Sequence, residues 1–349
     1  MKKIFIMAYA RKNLGDDLFI KMLLDRYPKC EFYMKINNYN FLSSLDQYSN
    51  LHIINGEDTD DELFNMDVKA YDAYVYVGGS IFMEGGKVYN LSEKFFDFIN
   101  RCKEKNKPFC YISCNYGPYQ TEEYFELSKK TFTTCTDICF RDKYSYNLFK
   151  DIKQVRYAPD FAFTYPIVRD KKIPNSIGIT VIDLSIRNDL RKIENDYIVM
   201  LINNIKKYIN DGKKVYLYSF CEYEGDERII NILLDKLGRT QNVVDVRYNG
   251  NIDDFLDIYS KMEYMICARF HSMILSSIAK QKMYIMSYSK KIDNVVDDLN
   301  LNLPILNFNK LNKDFCFDLD SFVSVDENKL SNIIKDSELQ EDAIRKYIK

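Results

Sequence analysis

The apolar positions of this chain fall into two kinds of run that take turns along it. Short runs that are apolar almost throughout read as strands buried on both faces. Longer stretches with apolar residues three and four positions apart read as amphipathic helices. Runs of the first kind lie at 3–9, 51–54, 73–77, 109–113, 138–141 and 155–158. Helical patterns lie between them, from Asp16 and Asp17 to about Tyr27, over 91–105 and over 122–135. A proline- and charge-bearing stretch at 164–175 reads as a linker, and the alternation then restarts. Strands are expected at 177–182, 214–218, 243–246, 264–268, 283–286 and 304–306, and helices at 197–210, 226–237, 252–262, 270–281 and 293–299. The tail, 331–349, reads as a final helix.

Strands alternating with helices specify a parallel sheet covered on both faces. The chain therefore reads as two Rossmann-like α/β domains with a cleft between them, divided at 1–168 and 169–310. The stretch 311–349 is an extension whose helix closes back over the fold. At 349 residues the chain is comfortable for two cores.

Composition changes this picture little. With 46% apolar and 29% charged residues the chain is an ordinary globular protein, and a net charge of −2 gives no reason to expect nucleic acid. Nine cysteines are scattered and odd in number. The spacings Cys110-x-x-x-Cys114 and Cys135-x-x-x-Cys139 suit zinc, but each pair has a member inside an expected buried strand, where cysteine acts as a small hydrophobe. No metal is expected. The start, MKKIFIMAYARK, reads as a first strand rather than a signal peptide, and no run reaches the length of a membrane span. A reducing, cytoplasmic compartment is the expectation.

The chemistry gathers at strand ends. The stretch 263–288 reads as strand, helix, strand, and Arg269 and His271 sit at its first turn. Anions collect at such turns because free N–H groups and the helix dipole attract them. His271 is one of two histidines in the chain. A half-buried structural histidine is the plain alternative, but a ring and a guanidinium two residues apart can serve one pocket. Other strand ends carry Asp16 and Asp17, Gly78 and Gly79, Asn115, Arg141 and Asp160. Capping explains Asp16 and Asp17 as well as function does. Each of the others taken singly is a turn residue, and their shared edge is the signal.

In order along the chain, Gly15-Asp16-Asp17, Gly78-Gly79, Gly117-Pro118, Arg141-Asp142 with Ser145, Pro159 to Phe163, Arg269-Phe270-His271 and Tyr288-Ser289-Lys290-Lys291 resemble the turns of the polysaccharide pyruvyl transferases. The resemblance implies a GT-B-like fold. It also implies transfer of the enolpyruvyl group of phosphoenolpyruvate (PEP) to a sugar of a cell-surface glycan precursor, as a ketal with release of phosphate. Arg269 and His271 match its PEP-contacting and catalytic residues, the C-terminal domain being the PEP side and the N-terminal domain the acceptor side. The chain departs from the pattern at Ile182, where many members carry a PEP-holding arginine, and Arg187 is the nearest substitute.

On this reading His271 is the general acid, and a carboxylate (Asp16, Asp17 or Asp160) is the base. Arg269, with Arg187 or Lys291, grips the donor. Gly78, Gly79, Asn115, Arg141, Asp160 and Asp17 complete the substrate-binding set. The scheme needs no cofactor. The implied partners are PEP and a glycan or lipid-linked sugar. The reading is compatible with a peripheral position at the inner membrane surface and with a homo-oligomer. Two rivals remain. One is a nucleotide-sugar glycosyltransferase of the same architecture, with Glu222, Glu224 and Asp226 holding a sugar or else capping the next helix. The other is a non-catalytic glycan-binding relative.

Overall fold

A computed structural model describes residues 1–36, 45–56, 64–86, 90–169, 171–187, 189–238 and 240–348. The chain divides into two compact units. The first comprises Met1–Ala10, Asp16–Thr164 and Ile333–Lys349, and the second Arg11–Gly15 and Tyr165–Asn332.

The first unit is built on seven parallel strands: β1 (Lys3–Met7), β2 (Glu31–Ile36), β3 (Leu51–Asn55), β4 (Ala73–Val77), β5 (Phe109–Cys114), β6 (Asp137–Phe140) and β7 (Val155–Tyr157). Their order is β3-β2-β1-β4-β5-β6-β7. The helices are α1 (Leu14–Arg26), α2 (Glu93–Glu104), α3 (Glu122–Thr134) and α4 (Lys143–Phe149). Ser92, Thr121 and Asp142 cap α2, α3 and α4 by accepting a backbone N–H with their side chains. An aromatic-rich core, including Phe95, Phe98, Phe109, Tyr111 and Phe132, packs against the sheet.

The second unit repeats the plan. Its six parallel strands are β8 (Ile173–Thr180), β9 (Lys214–Ser219), β10 (Val243–Arg247), β11 (Met262–Cys267), β12 (Lys282–Ser287) and β13 (Ile305–Asn307), in the order β10-β9-β8-β11-β12-β13. The helices α5 (Glu194–Asn210), α6 (Asp226–Leu237), α7 (Ile252–Ser260), α8 (Phe270–Ile278) and α9 (Lys290–Asp298) connect them. In both sheets the strand order reverses once, between β1 and β4 and between β8 and β11. Ligands of open α/β sheets bind at the carboxyl ends of such a pair. The expected pair of Rossmann-like parallel sheets, as in a GT-B-like fold, is what the chain forms.

Four elements differ from the sequence reading. β2 escaped it because EFYMKI mixes charge into a strand with no clean alternation. α4 escaped it because seven residues give too few turns for a period to register. The tail is not one helix: α10 (Glu327–Ser337) gives way to a 3-10 turn, Glu338–Glu341, and then α11 (Asp342–Ile348). β8 also begins inside the stretch read as a linker, at Ile173.

Candidate active site

In the second unit the site grows out of the β8–β11 switch point. The Thr180 hydroxyl, fully buried at the end of β8, accepts the Ala268 N–H at 2.7 Å, which ties the two strand ends together. Arg269 then leaves β11 in extended conformation and caps α8, its own N–H donated to the Ser272 hydroxyl at 3.2 Å. This places the Arg269 side chain over the turn after β9. There its Nε donates to Asp226 at 3.1 Å, while its two terminal nitrogens bond Asp226 and Glu224.

Asp226 is wholly buried and also accepts the N–H groups of Phe220 at 2.9 Å and Cys221 at 3.2 Å. Burial pushes its carboxyl up to about 6, against the pull of Arg269. Glu224 is a quarter exposed. Burial raises it too, but Arg269, Arg187 and Asn13 outweigh that and hold it below the usual carboxylate range.

Arg187, in the loop after β8, approaches the same Glu224 oxygen at 3.7 Å and stacks on Tyr288 with 4.5 Å to the ring centre. The two arginines therefore converge on one carboxylate oxygen. Ile182 itself is buried in the core and presents no charge. Glu224 and Asp226 do not cap α6, whose cap position is Gly225, and both carboxylates hold Arg269.

His271 lies in the first turn of α8, its ring edge-on to Phe270. It rests against Gly15, where a Cβ would overlap the imidazole. The same short segment carries Asn13, whose side chain accepts the Gly15 N–H at 3.1 Å and donates to Glu224 at 3.2 Å. Leu14 N–H donates to the Phe220 carbonyl at 3.0 Å. One segment, Arg11–Gly15, thus borders both the imidazole and the carboxylate that holds Arg269. Asn13 thus precedes α1 and accepts from its first turn, where Asp16 and Asp17 also stand. Lys291 sits in the first turn of α9, after β12.

In the first unit a second group gathers at the carboxyl ends of β4 to β7. Arg141 is buried and pairs with the fully buried Asp160 at 2.9 Å, and its other terminal nitrogen donates to Asn115 at 2.8 Å. Gly79 lies flat against that guanidinium, which a Cβ would strike. A Cβ on Gly78 would lie 3.6 Å from the Asp16 carboxylate, so Asp16 borders the β1–β4 switch point. Asp17, one residue on, is fully buried. The structure thus brings together Gly79, Asn115, Arg141 and Asp160 in one unit, and Arg187 with Arg269 in the other.

Sequence reasoning missed the counter-ions. Glu224 and Asp226 were visible as an acidic turn, but their tie to Arg269 spans 45 and 43 residues. No group of three or more His, Cys, Asp or Glu among the described residues is placed to hold a metal. Cys110, Cys114, Cys135 and Cys139 are buried free thiols, all pushed up by that burial.

The architecture recurs in solved structures of other proteins. A putative UDP-N-acetylglucosamine 2-epimerase from Listeria monocytogenes superposes with a TM-score of 0.61 at 9% identity, covering 99% of this chain and 89% of that one. The UDP-GlcNAc 2-epimerase of Neisseria meningitidis gives 0.60 at 10% identity, covering 99% and 100%. MurG of Acinetobacter baumannii gives 0.52 at 10%, covering 99% and 100%. At these identities the likeness defines a two-domain fold class and no activity. The family comes from the sequence itself: residues 13–290 match the model for polysaccharide pyruvyl transferases, and the chain belongs to that family. It is a pyruvyl transferase that uses PEP and acts on a sugar of a cell-surface glycan.

Proposed function

We propose that the carboxyl edge of the second unit's sheet is the PEP site, and that the product is a pyruvate ketal on one sugar, with phosphate released. The observation that carries this is the convergence of Arg187 and Arg269 on a single oxygen at the β8–β11 switch point. PEP bears a carboxylate and a phosphate, and two guanidiniums beside the amino end of α8 are the donors such a ligand needs. Arg187 here supplies the charge that Ile182 lacks.

His271 gives a proton to C3 of PEP as a sugar hydroxyl oxygen bonds to C2. The carbon–oxygen bond to phosphate then breaks, and the second hydroxyl of the same sugar closes on C2, its proton leaving with the phosphate. Asp16, the residue after Gly15, is the carboxylate proposed to receive the proton of the first hydroxyl, which balances the one His271 gives to C3. Gly78, Gly79, Asn115, Arg141, Asp160 and Asp17 form the proposed acceptor side, and Lys291 an outer donor contact. PEP carries too much charge to cross a membrane unaided, which supports a cytoplasmic enzyme. A lipid-linked acceptor would draw it to the inner membrane surface.

The test is PEP-dependent phosphate release against a panel of lipid-linked and nucleotide-linked glycan precursors, with product mass. A mass gain matching a pyruvate ketal is expected. Release of nucleotide from a sugar donor, with no use of PEP, would sink the reading.

A further inference from the structure

Arg269 has two carboxylate partners of unlike character. Asp226 is fully buried and locked by two backbone N–H groups as well as by the guanidinium. Glu224 is a quarter exposed, and besides the arginines only the Asn13 side chain is seen to hold it among the described residues. On the other flank, the Arg187 contact with Glu224 at 3.7 Å is too long for a hydrogen bond. The buried Nε of Arg187 has no hydrogen-bond partner among the described residues. A buried charged donor in that state is costly, and a planar anion would satisfy it.

The charges add a second reason. Two arginines and two carboxylates leave the side chains of this cluster neutral, so they add no net charge to the pull of the α8 amino end on an incoming anionic donor. With Glu224 in place it would also meet a like charge at close range.

We propose that Glu224 is a resident stand-in for the donor's anionic group. It occupies Arg187 and Arg269 while the site is empty, and the carboxylate or phosphate of the substrate displaces it. Asp226 stays and keeps Arg269 aimed. This rests on the PEP reading above. The exchange keeps both arginines paired before and after turnover, which avoids an uncompensated buried charge. It also weakens the hold on released phosphate, because Glu224 competes to return, and so favours product departure.

The experiment is calorimetric titration of inorganic phosphate into the full-length wild type, Glu224→Gln and Asp226→Asn. Phosphate should bind Glu224→Gln about tenfold tighter than wild type, the reach of one removed like charge. It should bind Asp226→Asn more weakly. Affinity in Glu224→Gln equal to or below wild type overturns the proposal, since Glu224 is then an orienting partner. Should that variant not fold, a phosphate-bound crystal structure of the wild type decides: Glu224 still on Arg269 overturns the exchange, and Glu224 turned to solvent supports it. PEP turnover in the wild type is scored separately. Turnover without the affinity gain removes only the stand-in, whereas the gain without turnover removes only the pyruvyl-transfer reading.

Discussion

Single residues carry the sharpest expectations. His271 lies in the first turn of α8 beside Gly15 and Phe270, and its replacement removes the proposed proton donor. His271→Ala should lower PEP-dependent phosphate release by roughly 10²–10⁴-fold while the melting temperature stays near wild type. Near-normal turnover would take the imidazole out of the mechanism. Gly15→Ala tests the same group from outside. Its new methyl would displace the ring, and misplacement of about 1 Å costs on the order of 10²-fold in kcat. Unchanged kcat would mean that Gly15 is only a turn glycine. The histidine and its arginine neighbour were legible in the sequence, because a strand-to-helix break marks itself locally, whereas Gly15 stood out only through the family resemblance. The partners of Arg269 were not. Which acidic turn meets a buried arginine is fixed by strand order, and strand order is invisible in a one-dimensional pattern.

At the scale of elements, strand and helix periodicity was enough to place nearly every member of both sheets. The failures have physical causes: β2 lacks alternation, α4 is short, and the tail is interrupted by a 3-10 turn. The junction after β8 adds a test. Asp183, almost wholly buried, accepts two bonds from Arg228 at 2.6 and 2.7 Å and one from the Ser185 N–H at 2.8 Å. Burial raises its carboxyl, but Arg228 and Ser185 outweigh that and hold it below the ordinary aspartate range. A carboxyl depressed on folding stabilises the fold above its unfolded value, about 4, and loses that contribution as pH falls through the folded value. Asp183→Asn should therefore cost about 2 kcal/mol at pH 7, and the difference should shrink below about pH 4. Thermal melts of both proteins across that range check it. A gap independent of pH would mean that packing, not charge, is what Asp183 supplies.

For the whole molecule, the notable fact is how the first unit is assembled from distant parts of the chain. The buried Gln340 side chain accepts the Ser113 N–H at 2.9 Å and donates to the carbonyls of Ala158 at 2.7 Å and Pro159 at 3.1 Å. Ser113 and Gln340 are 227 residues apart. Arg156 donates to the Gln340 carbonyl at 2.9 Å, and Arg26 bonds the buried Glu341. Gln340→Ala would strand three buried backbone groups and should cost about 3 kcal/mol, seen as a lower melting temperature of the full chain. No change would mean that water replaces the amide without loss.

That stitching sets terms for anyone who wishes to take the protein apart. A single cut after Thr164 does not yield the amino-terminal half as a working piece, because the plug that finishes its sheet is encoded beyond the other half. An excised version needs 333–349 grafted on through a flexible linker, and without the graft it should be recovered as aggregate rather than as a folded fragment.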